Sequence, residues 1–315
     1  MDITYLLWLQ NIREQAGILW EYVFYGITML GAAGIGLALV IYLCKDKKKG
    51  FFITACFCLG TVMNGTLKNI CCVYRPWIRD RRIIPSALAK PGATGYSFPS
   101  GHSQTAATTY GSAAWVYRKH RKTAVILILL VLLTGFSRNY LGVHTPQDVI
   151  VGLLEGCICI FLVQKFFEWY RRKKRSDLKI VIIGLVVTGI LILFTLLKPY
   201  PMTYENGKLL VDPISMQADS MKSYGFFTGL LCAWALERKY IGFTTDHMTM
   251  KKALLRLVIC GILGMFGYMV FGHFAEVLFD ERLTSFVGAF MALFLSLFIG
   301  PIIFTKIEKR MNSEF

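Results

Sequence analysis

A short polar segment, "YSFPSGHS" at residues 96–103, interrupts a chain that otherwise consists largely of apolar runs. Pro99 and Ser100 have the residue types of a helix start, with Ser100 in the N-cap position. The start of a helix presents free backbone N–H groups and a partial positive charge, which together favour anion binding. Gly101 would let a ligand approach the backbone closely, and His102 would lie beside that ligand. The segment therefore predicts an anion site, although an ordinary capped helix with an interfacial histidine has the same pattern.

A second polar cluster, "SRNYLGVHTPQD", occupies residues 137–148. Thr145 and Pro146 fit the N-cap and the first position of a helix, and Asp148 completes a capping box. Asp148 could also accept a hydrogen bond from one nitrogen of His144, which would fix the imidazole tautomer and leave the other nitrogen nucleophilic. The structural and the chemical role of Asp148 do not exclude each other.

Three basic residues complete the set of groups that could bind an anion. Lys68 and Arg75 are two helical turns apart and lie on roughly one face at the end of an apolar segment. Lys68 alone would fit a side chain that snorkels to the membrane interface. Arg138 precedes His144 by six residues. Three cations, a helix N-terminus and two histidines suit a phosphoryl group, with one histidine as the nucleophile and the other as the proton donor.

The elements that must position these groups are apolar. The chain has 315 residues, of which 55% are hydrophobic, and apolar stretches of about 18 or more residues are typical of membrane spans. We predict an all-α, polytopic transmembrane bundle of about nine spans. One of them, 100–117, is rich in small residues, which suits the interior of a bundle. The predicted spans run near 18–44, 51–73, 100–117, 123–142, 146–170, 178–197, 223–236, 253–275 and 285–304.

The distribution of basic residues predicts the orientation of this bundle. The net charge is +16, and the basic residues lie mostly between spans, so the positive-inside rule explains them better than a nucleic-acid partner does. One alternate set of loops carries 22 Lys and Arg residues, and the opposite set carries 11. The richer set, expected in the cytoplasm, comprises 45–50, 118–122, 171–179, 237–256 and 306–310. We therefore expect the N-terminus outside, the C-terminus in the cytoplasm, and the polar groups described above at the extracytoplasmic end.

The segments "KNICCVYRP", "PSGH" and "SRNYLGVHTPQD" resemble the three signature motifs of the type 2 phosphatidic acid phosphatase family, whose relatives include the vanadium haloperoxidases and glucose-6-phosphatase. All eleven fixed positions of the pattern occur in order, within residues 68–148 or about a quarter of the chain. They are Lys68, Arg75, Pro76, Pro99, Ser100, Gly101, His102, Ser137, Arg138, His144 and Asp148.

The resemblance implies a mechanism that agrees with the chemistry inferred from the residues. His144, oriented by Asp148, attacks phosphorus in line and forms a phosphohistidine, while His102 protonates the leaving oxygen and then activates water. The groups that hold the phosphate oxygens are Lys68, Arg75, Arg138, the Ser100 hydroxyl and the Gly101 amide. The reaction is expected to need no metal ion and no other cofactor.

The usual family core has six spans, so the three further spans predicted here are a departure. The basic run at 171–179 divides the chain into a predicted catalytic core with a haloperoxidase-like fold, 1–175, and additional C-terminal helices, 176–315. The sequence assigns no role to the C-terminal helices, which could also form a homodimer interface.

The function expected from these observations is a metal-independent phosphatase of the cell membrane that acts on lipid phosphates or diphosphates in the bilayer from its outer face. Undecaprenyl diphosphate is slightly favoured over phosphatidylglycerol phosphate, phosphatidic acid and diacylglycerol pyrophosphate. One alternative is an enzyme for a soluble phosphate ester, because nine spans also resemble the glucose-6-phosphatase layout. The other alternative is a non-enzymatic lipid or anion transporter that uses the same cations.

Four further charged residues have two interpretations each. Glu155 lies on the same helical face as Asp148, and a structural hydrogen bond to another span is favoured over a role in chemistry. Arg79, Arg81 and Arg82 in the outer loop fit a solvated run of charge. The alternative for these arginines is contact with a lipid headgroup or a diphosphate.

Overall fold

The computed structural model of the protein describes residues 2–172 and 176–313. Over these residues the chain is almost entirely helical, which confirms the predicted all-α fold. The helices are α1 Asp2–Ala16, α2 Ile18–Ala32, α3 Gly34–Lys45, α4 Lys47–Cys71, α5 Pro76–Arg79, α6 101–116, α7 Arg121–Tyr140, α8 Pro146–Arg172, α9 Asp177–Leu197, α10 Pro213–Tyr240, α11 Met250–Leu278 and α12 281–313. A short antiparallel hairpin pairs β1 Tyr204–Glu205 with β2 Lys208–Leu209.

Each of the nine predicted spans coincides with a helix or a helix pair in the described residues. Six helical segments are long and apolar enough to cross a membrane, namely α4 with α5, α7, α8, α9, α11 and α12. The α2–α3 pair, bent by 41°, would make a seventh span. The other two predicted spans fall on α6, which is short, and on α10, whose first half is polar. By length and composition, the described residues therefore hold six or seven spans of a multi-pass membrane protein.

The helix α6 lies inside the bundle, as its content of small residues predicts. Its Thr108, Thr109 and Ser112 side chains are fully buried. Thr109 Oγ1 donates to the Thr105 carbonyl at 2.7 Å, so its hydroxyl is satisfied within the helix. By contrast, α9 leaves large apolar side chains such as Ile183 exposed. Apolar surface of this kind is suited to lipid, and buried hydroxyls are suited to the interior.

The helix α8 packs directly on the first turn of α6 at Gly152. A Cβ atom at this position would lie 2.6 Å from the Ser100 carbonyl oxygen and 3.3 Å from the Gln104 nitrogen. Both neighbours are backbone atoms, so the two helices would have to separate to accept a side chain. Glycine at 152 therefore permits the close approach that brings the two polar clusters of the sequence together.

We expect Gly152→Ala to lower the melting temperature, because overpacking of this kind costs on the order of 1–3 kcal/mol. Gly36→Ala in α3 is the matched control, since a Cβ there meets no atom within 4 Å and alanine is the better helix former. Thermal unfolding of both variants in detergent measures the difference. Equal melting temperatures would show that the close approach at 152 is not required.

The C-terminal helices are packed onto the rest of the bundle through α10. Near one end, Asn69 Nδ2 donates to Ser220 Oγ at 2.9 Å. Near the other end, Lys47 Nζ forms an ion pair with Glu237 at 2.7 Å. The predicted division after residue 175 adjoins 173–175, which lie outside the described residues, and this division stays a prediction.

Candidate active site

All eight predicted site residues come together at one end of the bundle. Lys68 lies in the last turn of α4, Arg75 precedes α5, Ser100, Gly101 and His102 begin α6, Arg138 lies in the last turn of α7, and His144 and Asp148 flank the start of α8. Residues separated by up to 80 positions therefore converge because four helix ends meet at this point.

The Asp148 carboxylate contacts both the backbone of its own helix and the side chain of His144. Its Oδ2 accepts from the Thr145 backbone N–H at 2.8 Å and faces His144 Nδ1 at 3.3 Å. The Ser97 hydroxyl donates to the same oxygen. Both contacts predicted for Asp148, the helix cap and the histidine, are thus present together.

The Arg75 guanidinium determines which nitrogen of His144 carries the proton. Arg75 Nη1 lies 2.8 Å from His144 Nε2. Because a guanidinium can only donate hydrogen bonds, Nε2 must be the acceptor. The proton of the neutral ring then lies on Nδ1, on the side of Asp148. This tautomer leaves a lone pair on Nε2, which is the arrangement that a nucleophilic imidazole requires.

His144 lies in the loop between α7 and α8, where it is buried and surrounded by cationic side chains. The side chain is 2% exposed. Burial, followed by the charges of Arg75, Arg138 and Lys68, lowers the pKa of His144 well below its ordinary value. The imidazole is therefore held in its neutral form, in agreement with the tautomer that Arg75 imposes.

Backbone carbonyls hold the Arg75 and Lys68 side chains in place. Arg75 is 5% exposed, and it donates to the carbonyl oxygens of Thr94, Gly95 and Val143 at 2.7, 3.1 and 3.1 Å. Lys68 Nζ donates to the carbonyl oxygens of Tyr96 and Ser97 at 2.9 and 3.3 Å. Among the described residues, no carboxylate is in direct contact with either cation, so their charge remains available to an anion.

The first turn of α6 has the predicted cap. Ser100 is fully buried, and its Oγ accepts from the Ser103 backbone N–H at 3.4 Å and from the Ser103 hydroxyl at 2.9 Å. A Cβ on Gly101 would lie 3.5 Å from Asn64 Oδ1, an ordinary van der Waals distance. Packing therefore does not require glycine at 101, and the predicted contact of its amide with a phosphate stays a prediction.

His102 and Arg138 both retain hydrogen-bonding capacity on the site side. The His102 ring is half-buried and has no side-chain hydrogen-bond partner among the described residues. Arg138 is 2% exposed, and its Nη1 donates to Thr28 Oγ1 at 2.9 Å. The Nε of Arg138 is buried without a partner in the same part of the chain. Unpartnered buried donors of this kind call for a ligand or water.

Glu155 lies on α8, about two helical turns after Asp148, and is 2% exposed. Its Oε2 accepts from Asn64 Nδ2 of α4 at 2.7 Å. This contact is the hydrogen bond to another span that the sequence favours.

The three arginines of the outer loop are exposed and pair with protein carboxylates. Arg79 pairs with Asp2 at 3.1 Å and Arg82 with Asp80 at 2.7 Å, while Arg81 contacts Glu205. Such pairs contribute little to stability. The arrangement agrees with a solvated run of charge.

Three contributors to the site were missed by the sequence analysis. Ser97 supports Asp148, and Thr28 supports Arg138 from α2. Ser97 lies inside the quoted polar segment, so its polarity was a usable signal. Thr28 is a single hydroxyl in an apolar span and gave no signal beyond its polarity. Asp219 of α10 lies near Lys68 and Arg75, and nothing in its sequence surroundings marks it.

A metal site does not emerge from the described residues. No group of three or more His, Cys, Asp or Glu side chains among 2–172 and 176–313 is arranged to hold an ion.

Comparison with known proteins shows the family to which the chain belongs. Residues 49–172 match the PAP2 superfamily, and residues 221–312 match the PAP2 superfamily phosphatase transmembrane extension. Phosphatidylglycerophosphatase B of Bacillus subtilis (strain 168) is 32% identical over 165 residues, which are 48% of this chain and 77% of that protein. Undecaprenyl-diphosphatase of Sulfolobus acidocaldarius is 30% identical over 142 residues, 45% of this chain and 62% of that protein. No solved structure matches the chain.

The fold, the convergent polar groups and these relatives define a multi-pass membrane phosphatase. The chain belongs to the PAP2 superfamily, which confirms the resemblance to type 2 phosphatidic acid phosphatases.

Proposed function

We propose that the protein hydrolyses the terminal phosphate of a membrane lipid at the extracytoplasmic face, through a phosphohistidine on His144. The observation that carries the proposal is the geometry around this histidine. Nδ1 faces Asp148 at 3.3 Å, and the Nε2 lone pair lies beside the Arg75 guanidinium at 2.8 Å. A phosphoryl group bound by Arg75 would thus lie next to the nucleophilic nitrogen.

The reaction proceeds in two displacements. In the first, His144 Nε2 attacks phosphorus, the bond to the lipid oxygen breaks, and protonated His102 gives its proton to that oxygen. Burial, followed by the charges of Arg138, Arg75 and Lys68, lowers the pKa of His102 to about 3, so the negative charge of the bound phosphate must raise this pKa for the step to occur. In the second, neutral His102 takes a proton from water, the water oxygen attacks phosphorus, and the P–N bond breaks. Phosphate leaves and both histidines return to their starting states.

The remaining predicted residues stabilise the charge on the phosphoryl oxygens. The donors are the side chains of Lys68, Arg75 and Arg138, the Ser100 hydroxyl and the Gly101 amide at the start of α6. The unpartnered Nε of Arg138 supports this role, since it is a buried donor with no ligand among the described residues.

The extracytoplasmic placement rests on charge. The helix α4 begins in the basic segment 45–50 and carries Lys68 at its opposite end. The segments 118–122 and 237–256 likewise lie at the far ends of α7 and α10. By the positive-inside rule, the basic end is cytoplasmic and the site faces outward, with the N-terminus outside and the C-terminus inside.

The names of the relatives support two lipid substrates, phosphatidylglycerol phosphate and undecaprenyl diphosphate. The test is release of inorganic phosphate by the detergent-purified protein in EDTA. Both lipids, phosphatidic acid and glucose 6-phosphate are offered separately. Release from lipids but not from the sugar phosphate is expected. A preference for the sugar phosphate would favour the soluble-ester alternative, and no release from any of them would favour a transporter.

We expect the activity to persist as the pH falls. The lowered pKa of His144 means that the nucleophile gains its proton only well below the ordinary histidine value of about 6.5. Its neutral form is thus present above that lowered pKa and is lost only when the pH falls through it. The profile of kcat/KM between about pH 7.5 and about pH 5.5 should show no loss centred near 6.5. A loss centred there, with tryptophan fluorescence unchanged, would contradict a perturbed His144.

A further inference from the structure

The helix α10, one of the C-terminal helices, packs against one side of the candidate phosphate site. We call the surface of α10 that faces this site the wall. The Met216 side chain is 3% exposed and packs against the 95–96 segment, with its Sδ 3.4 Å from the Tyr96 nitrogen. The carbonyls of this segment hold Arg75 and Lys68. Ser220, one turn further along α10, hydrogen-bonds with Asn69 beside Lys68. The helix α10 is therefore in direct contact with the elements that position both cations.

Asp219 lies on this wall with a free carboxylate. Its charge interacts with those of Lys68, Arg75 and Lys222, yet its side chain is exposed. Among the described residues, the carboxylate accepts no hydrogen bond, and Lys68 and Arg75 donate to backbone carbonyls instead. Asp219 is therefore a solvent-exposed carboxylate on the part of α10 that packs beside Lys68 and Arg75.

Lys222 follows Asp219 by one helical turn. Side chains at this spacing are neighbours on a helix surface, with Cβ atoms about 5–6 Å apart. Lys222 Nζ lies 5.6 Å from the centre of the Tyr268 ring, and the side chain is half-buried. The wall thus presents an acceptor near the phosphate site and a cation further along it.

This order of charges matches one kind of leaving group. A carboxylate accepts hydrogen bonds and repels phosphate oxygens, so it suits a hydroxyl group next to the scissile phosphate. A lysine beyond it suits a second anion. In a diphosphate the second phosphate follows the first directly and would meet the carboxylate, which disfavours that substrate.

We infer that Asp219 and Lys222 of α10 form a headgroup subsite for a lipid in which a glycerol joins the scissile phosphate monoester to a phosphodiester. Asp219 accepts a hydrogen bond from the glycerol hydroxyl, and Lys222 pairs with the phosphodiester. The inference rests on the proposed lipid phosphatase function. It selects phosphatidylglycerol phosphate over undecaprenyl diphosphate, in contrast to the slight preference drawn from the sequence.

The test compares Asp219→Asn with the wild type on both lipids. We expect kcat/KM for phosphatidylglycerol phosphate to fall roughly threefold to tenfold, because the asparagine amide oxygen still accepts from the hydroxyl but a neutral hydrogen bond is only about half as strong as one to a charged group. The value for undecaprenyl diphosphate should stay the same or rise, because a repulsive charge has been removed. Lys222→Gln should lower kcat/KM for phosphatidylglycerol phosphate as well. Asp246→Asn, an exposed carboxylate at the opposite end, is the matched control.

Equal effects of Asp219→Asn on both lipids, or no effect on either, would overturn the subsite. A binding measurement separates this failure from that of the proposed function. In the His144→Ala background, short-chain phosphatidylglycerol phosphate should raise the melting temperature more than short-chain phosphatidic acid does, and Asp219→Asn should reduce the difference. A binding difference without phosphate release from any lipid by the wild type would support the subsite and reject the phosphatase. The absence of a binding difference would reject the subsite.

Discussion

His144→Ala should release phosphate from lipid substrates at least roughly 10⁴-fold more slowly than the wild type, because the residual rate of an enzyme without its nucleophile comes from binding and charge stabilisation alone. The fold should tolerate this change. Asp148 keeps its contact with the Thr145 nitrogen, and Arg75 keeps three backbone carbonyls. Loss of activity would thus report on the removed imidazole rather than on collapse of the site.

The measurement is inorganic phosphate release in EDTA, together with detection of phosphorylated protein after brief exposure to ³²P-labelled lipid and a quench in alkaline denaturant, because the P–N bond of a phosphohistidine is stable in alkali and labile in acid. His120→Ala is the matched control, since His120 precedes α7 at the opposite end of the bundle. The wild type and the control should carry label, and His144→Ala should carry none. Label of equal amount in His144→Ala would place the covalent phosphate elsewhere, and unchanged release would reject His144 as the nucleophile.

The local features of the site could be predicted from the sequence because they depend on short-range chemistry. Ser100 as N-cap and Asp148 in a capping box need only the residue types at two or three adjacent positions. Both occur in the structure. The interior position of α6 follows from its small residues in the same way.

Features that depend on tertiary packing could not be predicted. The tautomer of His144 is imposed by Arg75, 69 positions away, and no local pattern connects the two side chains. Asp219 lies near Lys68 and Arg75 because α10 packs against α4, through Ser220 and Asn69. The predicted count of nine spans differs from the six or seven found by length and composition for a related reason, since the first half of α10 carries polar residues where the helix borders the site.

His102→Ala should reduce phosphate release from lipid substrates by roughly 10²–10⁴-fold, which is the usual contribution of a positioned acid–base group. Because the ring has no side-chain hydrogen-bond partner among the described residues, its removal leaves no protein group unsatisfied, and the melting temperature should stay close to that of the wild type. The first displacement needs protonated His102, and the second needs neutral His102. In His102→Ala, the leaving group therefore decides which of the two displacements is slow.

An aryl phosphate such as p-nitrophenyl phosphate separates these states, because its phenolate departs without a proton donor. The first displacement should then survive in His102→Ala, while the second still lacks its base. Phosphorylated protein should therefore accumulate in this variant with the aryl phosphate and not with a lipid, and the His102→Ala/His144→Ala double variant should accumulate none. Turnover of the aryl phosphate at the wild-type rate would show that His102 acts in neither step. Accumulation with both substrates would restrict His102 to the hydrolysis of the intermediate, and the proton for the lipid oxygen would then have to come from another group or from water.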